Sequence, residues 1–300
     1  MSPDIVQSAG AEMAAGNRKL GIVAYLACFN GIVWREVLRY LNQTERFLSA
    51  LVRPLVWLFG LGYGLRNALG MPIQQPYETY IPYELYMTPG LVGMILLFNA
   101  MQSSLSMVYD RETGAMRTML VSPFPRTFLL ISKLSGGIAV SLLQVYAFLV
   151  ITWLLGIDLP YSGYITVIPA IVLSGLMLGS IALFLSSVIR QLENFAGVMN
   201  YVIFPMIFFS TALNPLWRIK EGNEYLYHSA RFNPFSHAVE LIRFGFYGKF
   251  GATDPDTGFD PTHLAVVVGC TLLFLLAAIY AYNPSKGLIG RRGGPGGGGG

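Results

Sequence analysis

Tyr109–Lys133 reads YDRETGAMRTMLVSPFPRTFLLISK and stands between two apolar runs, Leu85–Val108 and Leu134–Leu155. It carries four cations, Arg111, Arg117, Arg126 and Lys133, against two acids, Asp110 and Glu112. Helix-forming residues fill about three turns before Ser122-Pro123, where the residue preceding a proline is driven out of helical geometry. A polar helix tied at both ends to apolar runs is a natural docking surface at the mouth of two membrane spans.

Composition agrees with spans. Of 300 residues, 54% are hydrophobic and 12% charged, with a mean hydropathy of +0.53. Soluble domains carry about 25% charged residues, and apolar runs of about 20 residues are long enough to cross hydrocarbon. The 20 basic and 16 acidic residues leave a net charge of +4, too small for a nucleic-acid footprint. Cys28 and Cys270 lie far apart and read as core thiols, not as a disulfide or metal site. The first 20 residues hold no apolar signal-peptide core.

Six spans are expected at Phe47–Leu65, Leu85–Val108, Leu134–Leu155, Ile165–Ile189, Phe195–Leu213 and Leu264–Tyr282. Arg53 is the charge inside them, placed to snorkel toward head groups. Cys28–Arg46 precedes them as an amphipathic helix: Phe29, Val33, Val37 and Leu41 repeat every four residues, with Arg35, Arg39, Asn42 and Arg46 opposite. Such a helix is expected to lie in the membrane interface. Its alternative is an ordinary packed helix. Gly60-x-x-x-Gly64 and Gly175-x-x-x-Gly179 would let helices approach closely.

With the N-terminus in the cytoplasm, 14 of the basic residues fall inside and 6 outside. The positive-inside rule therefore puts both termini and the Tyr109–Lys133 loop in the cytoplasm of a multi-pass inner (plasma) membrane protein. The longest connection, Asn214–His263, falls outside. Its middle, Arg231–Tyr247 (RFNPFSHAVELIRFGFY), is amphipathic and aromatic. Asn233-Pro234 starts a helix there, with Ser236 a polar capping candidate. The segment is expected to dip back into the outer leaflet as a gate of Asn233, Pro234, His237, Glu240 and Arg243. A solvated lid is the alternative.

Four stretches resemble one family. Arg111-Glu112-x-Gly114 followed by Leu120-x-Ser122-Pro123 looks like the cytoplasmic loop of ABC-2 type transporter permeases. Asn233-Pro234, Ala238, Glu240 and Arg243 resemble that family's re-entrant segment before the last span. Ser210–Pro215 and Pro89-Gly90-Leu91 also resemble it, so the likeness covers most of residues 30–282. More loosely, the chain resembles permeases accompanying quinoprotein alcohol-oxidation systems.

The resemblance implies an all-α membrane fold with six transmembrane helices, an N-terminal interfacial helix, a cytoplasmic coupling helix and an outer re-entrant segment. The transmembrane domain is expected over 28–284, between a mobile cytoplasmic N-terminus (1–27) and a disordered glycine-rich tail (285–300). The implied function is the permease subunit of an ATP-binding cassette exporter, with a second permease copy and a separate ATPase as partners. ATPase coupling would fall to Arg111, Glu112, Gly114, Arg117, Leu120, Ser122 and Pro123, with Arg35 and Arg39.

The residues fit a non-enzymatic role. There is no Gly-x-x-x-x-Gly-Lys-Ser/Thr phosphate loop, so no cofactor is expected on this chain, and ATP and Mg would belong to the partner. His228, His237 and His263 lack metal-ligand spacing. The spans lack acids and lysines at mid-depth, which counts against proton coupling. Phe98, Asn99, Gln102, Tyr201, Phe204, Phe208, Phe209 and Thr211 are the pathway candidates, suited to an amphiphilic, apolar or lipid-linked solute. Alternatively these aromatics pack against lipid, and the chain is a membrane scaffold or assembly factor that transports nothing.

Overall fold

A computed structural model describes residues 21–64, 83–113, 123–189, 191–248 and 261–281. Gly114, Arg117, Leu120 and Ser122 lie outside the described residues, as do 1–20 and the glycine-rich tail. Among the described residues every regular element is helical.

The chain opens with α1 (Ile22–Asn42), which ends at Gln43, where φ −98° and ψ 67° leave helical space. The expected single helix over Cys28–Arg46 is therefore two: α2 (Thr44–Trp57) follows at once. Pro54 sits inside α2, and the helix widens after it into a π-helical segment, Leu58–Tyr63. Proline removes one backbone donor, and a π segment is a common local accommodation of a disturbed hydrogen-bond ladder.

Next come α3 (Tyr83–Glu112), α4 (Arg126–Leu154), α5 (Gly163–Thr166), α6 (Ile168–Val188) and α7 (Leu192–Phe208). The long connection holds α8 (Leu216–Gly222), α9 (Glu224–Phe232) and α10 (Pro234–Tyr247), and α11 (Pro261–Ala281) closes the described chain. Among the described residues, four helical stretches are long and apolar enough to cross a membrane: Tyr83–Glu112, Thr127–Leu154, Gly163–Val188 and Pro261–Ala281. Two shorter apolar helices, Ala50–Tyr63 and Leu192–Phe208, stand where the first and fifth spans are expected. The protein is a multi-pass membrane protein.

α3 is the hub, touching α4, α6, α7 and α10. Leu91, Val92, Leu97 and Met101 along it are fully buried. Pro89 leaves the Leu85 carbonyl without its helical donor, since residue i bonds i−4 and proline has no N–H. The Tyr247 hydroxyl donates to that carbonyl at 3.3 Å, so α10 supplies the bond α3 lacks. α6 lies close on α4 because Gly175 and Gly179 face Ile138 and Leu134. Gly60, by contrast, has open space beside it.

α1 runs lengthwise along α4. Tyr25 meets the rings of Phe124 and Phe128 at 5.2 and 5.0 Å, Glu36 covers Gly136, and the Tyr40 hydroxyl reaches Gln144 at 2.9 Å. Phe29, Val33 and Val37 lie on the packed face, while Leu41 is exposed. Trp34 and Leu38 are exposed beside Arg35 and Arg39, a mixture suited to head groups and upper acyl chains.

Candidate functional site

The motifs converge on α7, which is held at both ends. At its start, Gln191 adopts extended geometry and offers no side-chain cap. The Glu112 carboxylate supplies one from another helix: Oε1 accepts the Leu192 amide at 2.8 Å. An acid at a helix N-terminus satisfies an orphan donor and complements the positive end of the helix dipole. The same end of α3 is tied to α4, where the buried Lys133 ammonium donates to Asp110 Oδ2 at 2.9 Å. Lys133, read as a loop cation, thus lies inside the helix packing.

At the far end of α7 stands Asn233. Its Oδ1 accepts the Phe235 amide at 2.9 Å and caps α10, with Pro234 at the first helical position. Its Nδ2 donates to the carbonyls of Met206 at 2.9 Å and Phe209 at 2.6 Å. One side chain therefore starts α10 and fastens it to the last turn of α7. Ser236, the other capping candidate, instead accepts the Thr211 amide at 3.3 Å.

The turn after α7, Ser210–Leu213, is clamped from three sides. Tyr83 and Tyr86 of α3 donate to the carbonyls of Leu213 and Thr211 at 2.8 and 3.2 Å. Arg243 of α10 donates to the Thr211 carbonyl at 3.3 Å. Gly90 presses on the same turn, for a Cβ there would lie 2.1 Å from the Ala212 carbonyl oxygen. Three of the stretches that resembled one family, Pro89-Gly90-Leu91, Ser210–Pro215 and Asn233–Arg243, so meet at one point.

Arg243 and Glu240 form a buried ion pair at i, i+3, and the Arg243 guanidinium also lies 4.2 Å from the centroid of the Tyr86 ring. Glu240 Oε2 and the Thr211 hydroxyl have no hydrogen-bond partner among the described residues. Ten of the fourteen residues of α10 are buried, so it is packed into the bundle and is not a solvated lid. His237 points elsewhere: its Nδ1 lies 2.8 Å from Nδ1 of His263 on α11, and its Nε2 3.0 Å from the Arg231 carbonyl.

The remaining candidates are dispersed. Phe98, Asn99 and Gln102 line a cavity between α1, α2, α3 and α4, together with Arg39. Tyr201, Phe204 and Phe208 are exposed on α7 and Phe209 just after it, with the Phe204 and Phe208 rings stacked at 6.2 Å. Thr211 belongs to the clamp. Arg35 pairs with Glu36 at 3.3 Å, and Arg39 approaches the same carboxylate at 3.7 Å. Tyr40, the neighbour of Arg39, meets α4 at Gln144, about 16 Å along that helix from Lys133. Arg35, beside Glu36 and so near Gly136, stands only about 5 Å along α4 from Lys133, while Arg39 lies farther from that end, and Pro123 lies at the edge of the loop, exposed. Tyr83, Tyr86, Tyr247 and Gln144 were not singled out. Their signal was a polar or phenolic side chain within otherwise apolar helices.

The comparisons with known proteins agree with this architecture. The family model for ABC-2 type transporters matches residues 28–247. A protein named as a transport permease, ycf38, of Porphyra purpurea is 28% identical over 216 residues, covering 71% of this chain and 72% of its own. Its namesake in Cyanophora paradoxa is 24% identical over 247 residues, or 82% of each chain. Nodulation protein J of Azorhizobium caulinodans is 24% identical over 224 residues, covering 74% and 83%. The chain is a member of the ABC-2 type transporter family, a membrane transport permease.

Proposed function

We propose that the protein is the transmembrane subunit of an ATP-binding cassette exporter, driven by a separate ATPase through the α3–α4 loop. Family membership supports the class. The lack of a phosphate loop in the sequence supports a separate site for ATP and Mg. The observation that carries the coupling is α7, clasped by Glu112 at one end and Asn233 at the other.

In this reading six helices span the inner membrane with both termini in the cytoplasm, the two shorter ones as spans one and five. Arg111, Glu112, Gly114, Arg117, Leu120, Ser122 and Pro123 form the docking segment. When ATP draws two ATPases together, the segment displaces the start of α7. Because few of its side chains are buried, α7 moves as a strut and pulls on the turn beneath Arg243 and Glu240. A hydrogen bond with a helix-dipole contribution is worth about 1 kcal/mol, roughly a fivefold bias. That suits a joint that must shift between two states rather than lock one. A second copy would meet the exposed Tyr201, Phe204 and Phe208 strip, placing those aromatics along a route at the dimer axis.

The test is co-purification. Tagged full-length chain extracted from its native membrane should carry an ATP-hydrolysing subunit. Chain that inserts normally and carries no ATPase activity would favour the scaffold reading instead.

A further inference from the structure

The cavity between α1, α2, α3 and α4 has a volume of about 240 Å³ and a polar lining that packing alone does not require. Tyr40 and Asn99 both donate to Gln144 Oε1, at 2.9 and 2.7 Å. That leaves Gln144 Nε2 as a donor with no partner among the described residues. Gln102 makes no side-chain hydrogen bond among the described residues either.

Arg53 completes the set. Its guanidinium lies 3.8 Å from the centroid of the Phe98 ring and has no carboxylate partner among the described residues. The one carboxylate in the lining, Glu36, is engaged by Arg35 and Arg39. Arg53 was expected to snorkel toward an end. Arg53 is exposed, with its guanidinium over Phe98, near the middle of α3 and about 21 Å from Glu112 along the helix. A cation at that depth is costly, and a ring face offsets only part of the cost. The lining thus sets two cations, Arg39 and Arg53, against the single carboxylate of Glu36, with amide donors of Gln144 and Gln102, beside an apolar wall of Ala50, Pro54, Met94 and Ile95.

We propose that this cavity binds the phosphate ester head group of a membrane amphiphile. Arg53 takes the anionic oxygens in its planar fork, Gln144 Nε2 and the Gln102 amide add donors, and the first carbons rest on the apolar wall. The volume equals that of about eight waters, which fits a phosphoglycerol-sized head group rather than a whole lipid. The site belongs to this chain alone, so it stands or falls separately from the coupling to an ATPase.

The experiment is native mass spectrometry of the purified full-length chain in mild detergent. Dioleoyl phosphatidylglycerol, glycerol 1-phosphate and inorganic phosphate are titrated in separate arms. A saturable one-to-one adduct is expected, about tenfold weaker in Arg53→Gln and intermediate in Arg53→Lys, which keeps the charge but not the fork. Gln144→Leu should weaken it as well. An adduct with the lipid only assigns the head group of a lipid, and an adduct with all three assigns a soluble phosphate ester. Absence of saturable binding in every arm, or equal binding by Arg53→Gln and the parent, overturns the proposal. Melting curves confirm that each variant is folded, and Arg53→Lys keeps the test decisive if Arg53→Gln is not.

Discussion

Glu112 and Leu192 are 80 residues apart, yet the Glu112 carboxylate accepts the Leu192 amide at 2.8 Å. The contact joins the end of α3, where the polar loop begins, to the start of α7. Asn233 grips the other end of that helix. Any force entering at the loop therefore has a short covalent and hydrogen-bonded route to the buried Glu240–Arg243 pair.

Asn233 performs two tasks that substitution can separate. Asn233→Ala loses the α10 cap and both donors to α7, a cost of about 2–3 kcal/mol. Asn233→Asp keeps the cap but loses the donors, so it should fall between parent and Ala variant. Thermal unfolding in detergent ranks the three. Equal melting of the parent and the Asp variant would show that the bonds to Met206 and Phe209 carry nothing.

Removing one partner of the buried pair is expected to be worse than removing both. Glu240→Ala leaves the Arg243 guanidinium buried and should cost about 3–5 kcal/mol. Glu240→Leu combined with Arg243→Met should recover much of that loss. In the assembled complex, Glu240→Ala should also raise basal ATP hydrolysis by loosening the clamp on Thr211. A double-mutant cycle in melting, followed by a hydrolysis assay, checks both statements.

Glycine substitutions should order themselves by what a new Cβ would meet. At Gly90 it would strike the Ala212 carbonyl oxygen, which cannot rotate away. At Gly179 it would strike the mobile end of Leu134. At Gly197 it would meet nothing within 4 Å. Gly90→Ala should therefore cost about 1–3 kcal/mol or more, Gly179→Ala less, and Gly197→Ala should be neutral or stabilising. Expression and melting of the three variants give the order.

Much of this was legible in the sequence, and the remainder fails for a physical reason. Apolar run length located the apolar helices seen among the described residues because hydrocarbon thickness is a local constraint. Asn233-Pro234 announced the start of α10 because capping is local too. The spacing of Glu240 and Arg243 made their ion pair foreseeable. Glu112 was singled out, but as a docking residue, for nothing near it in sequence points to Leu192. The Leu85 carbonyl left open by Pro89, and the Tyr247 hydroxyl that satisfies it, are likewise long-range. The alignment of α1 along α4 brings Glu36 against Gly136, which a single helical period does not encode. Arg53 looked able to snorkel because Phe98 is 45 residues away.

Topology has its own check. Single cysteines at Thr118 and Asp256, in a background without Cys28 and Cys270, should react with an impermeant maleimide from opposite sides of the membrane. Reaction of both from the outside would remove the six-span arrangement.

The most direct measurement is hydrogen exchange over 210–247 in the assembled complex with its ATPase, with and without ATP. Coupling through α7 predicts that ATP changes exchange there in the parent, and that Glu112→Ala abolishes this change while the complex stays assembled. An undiminished ATP response in assembled Glu112→Ala would contradict it.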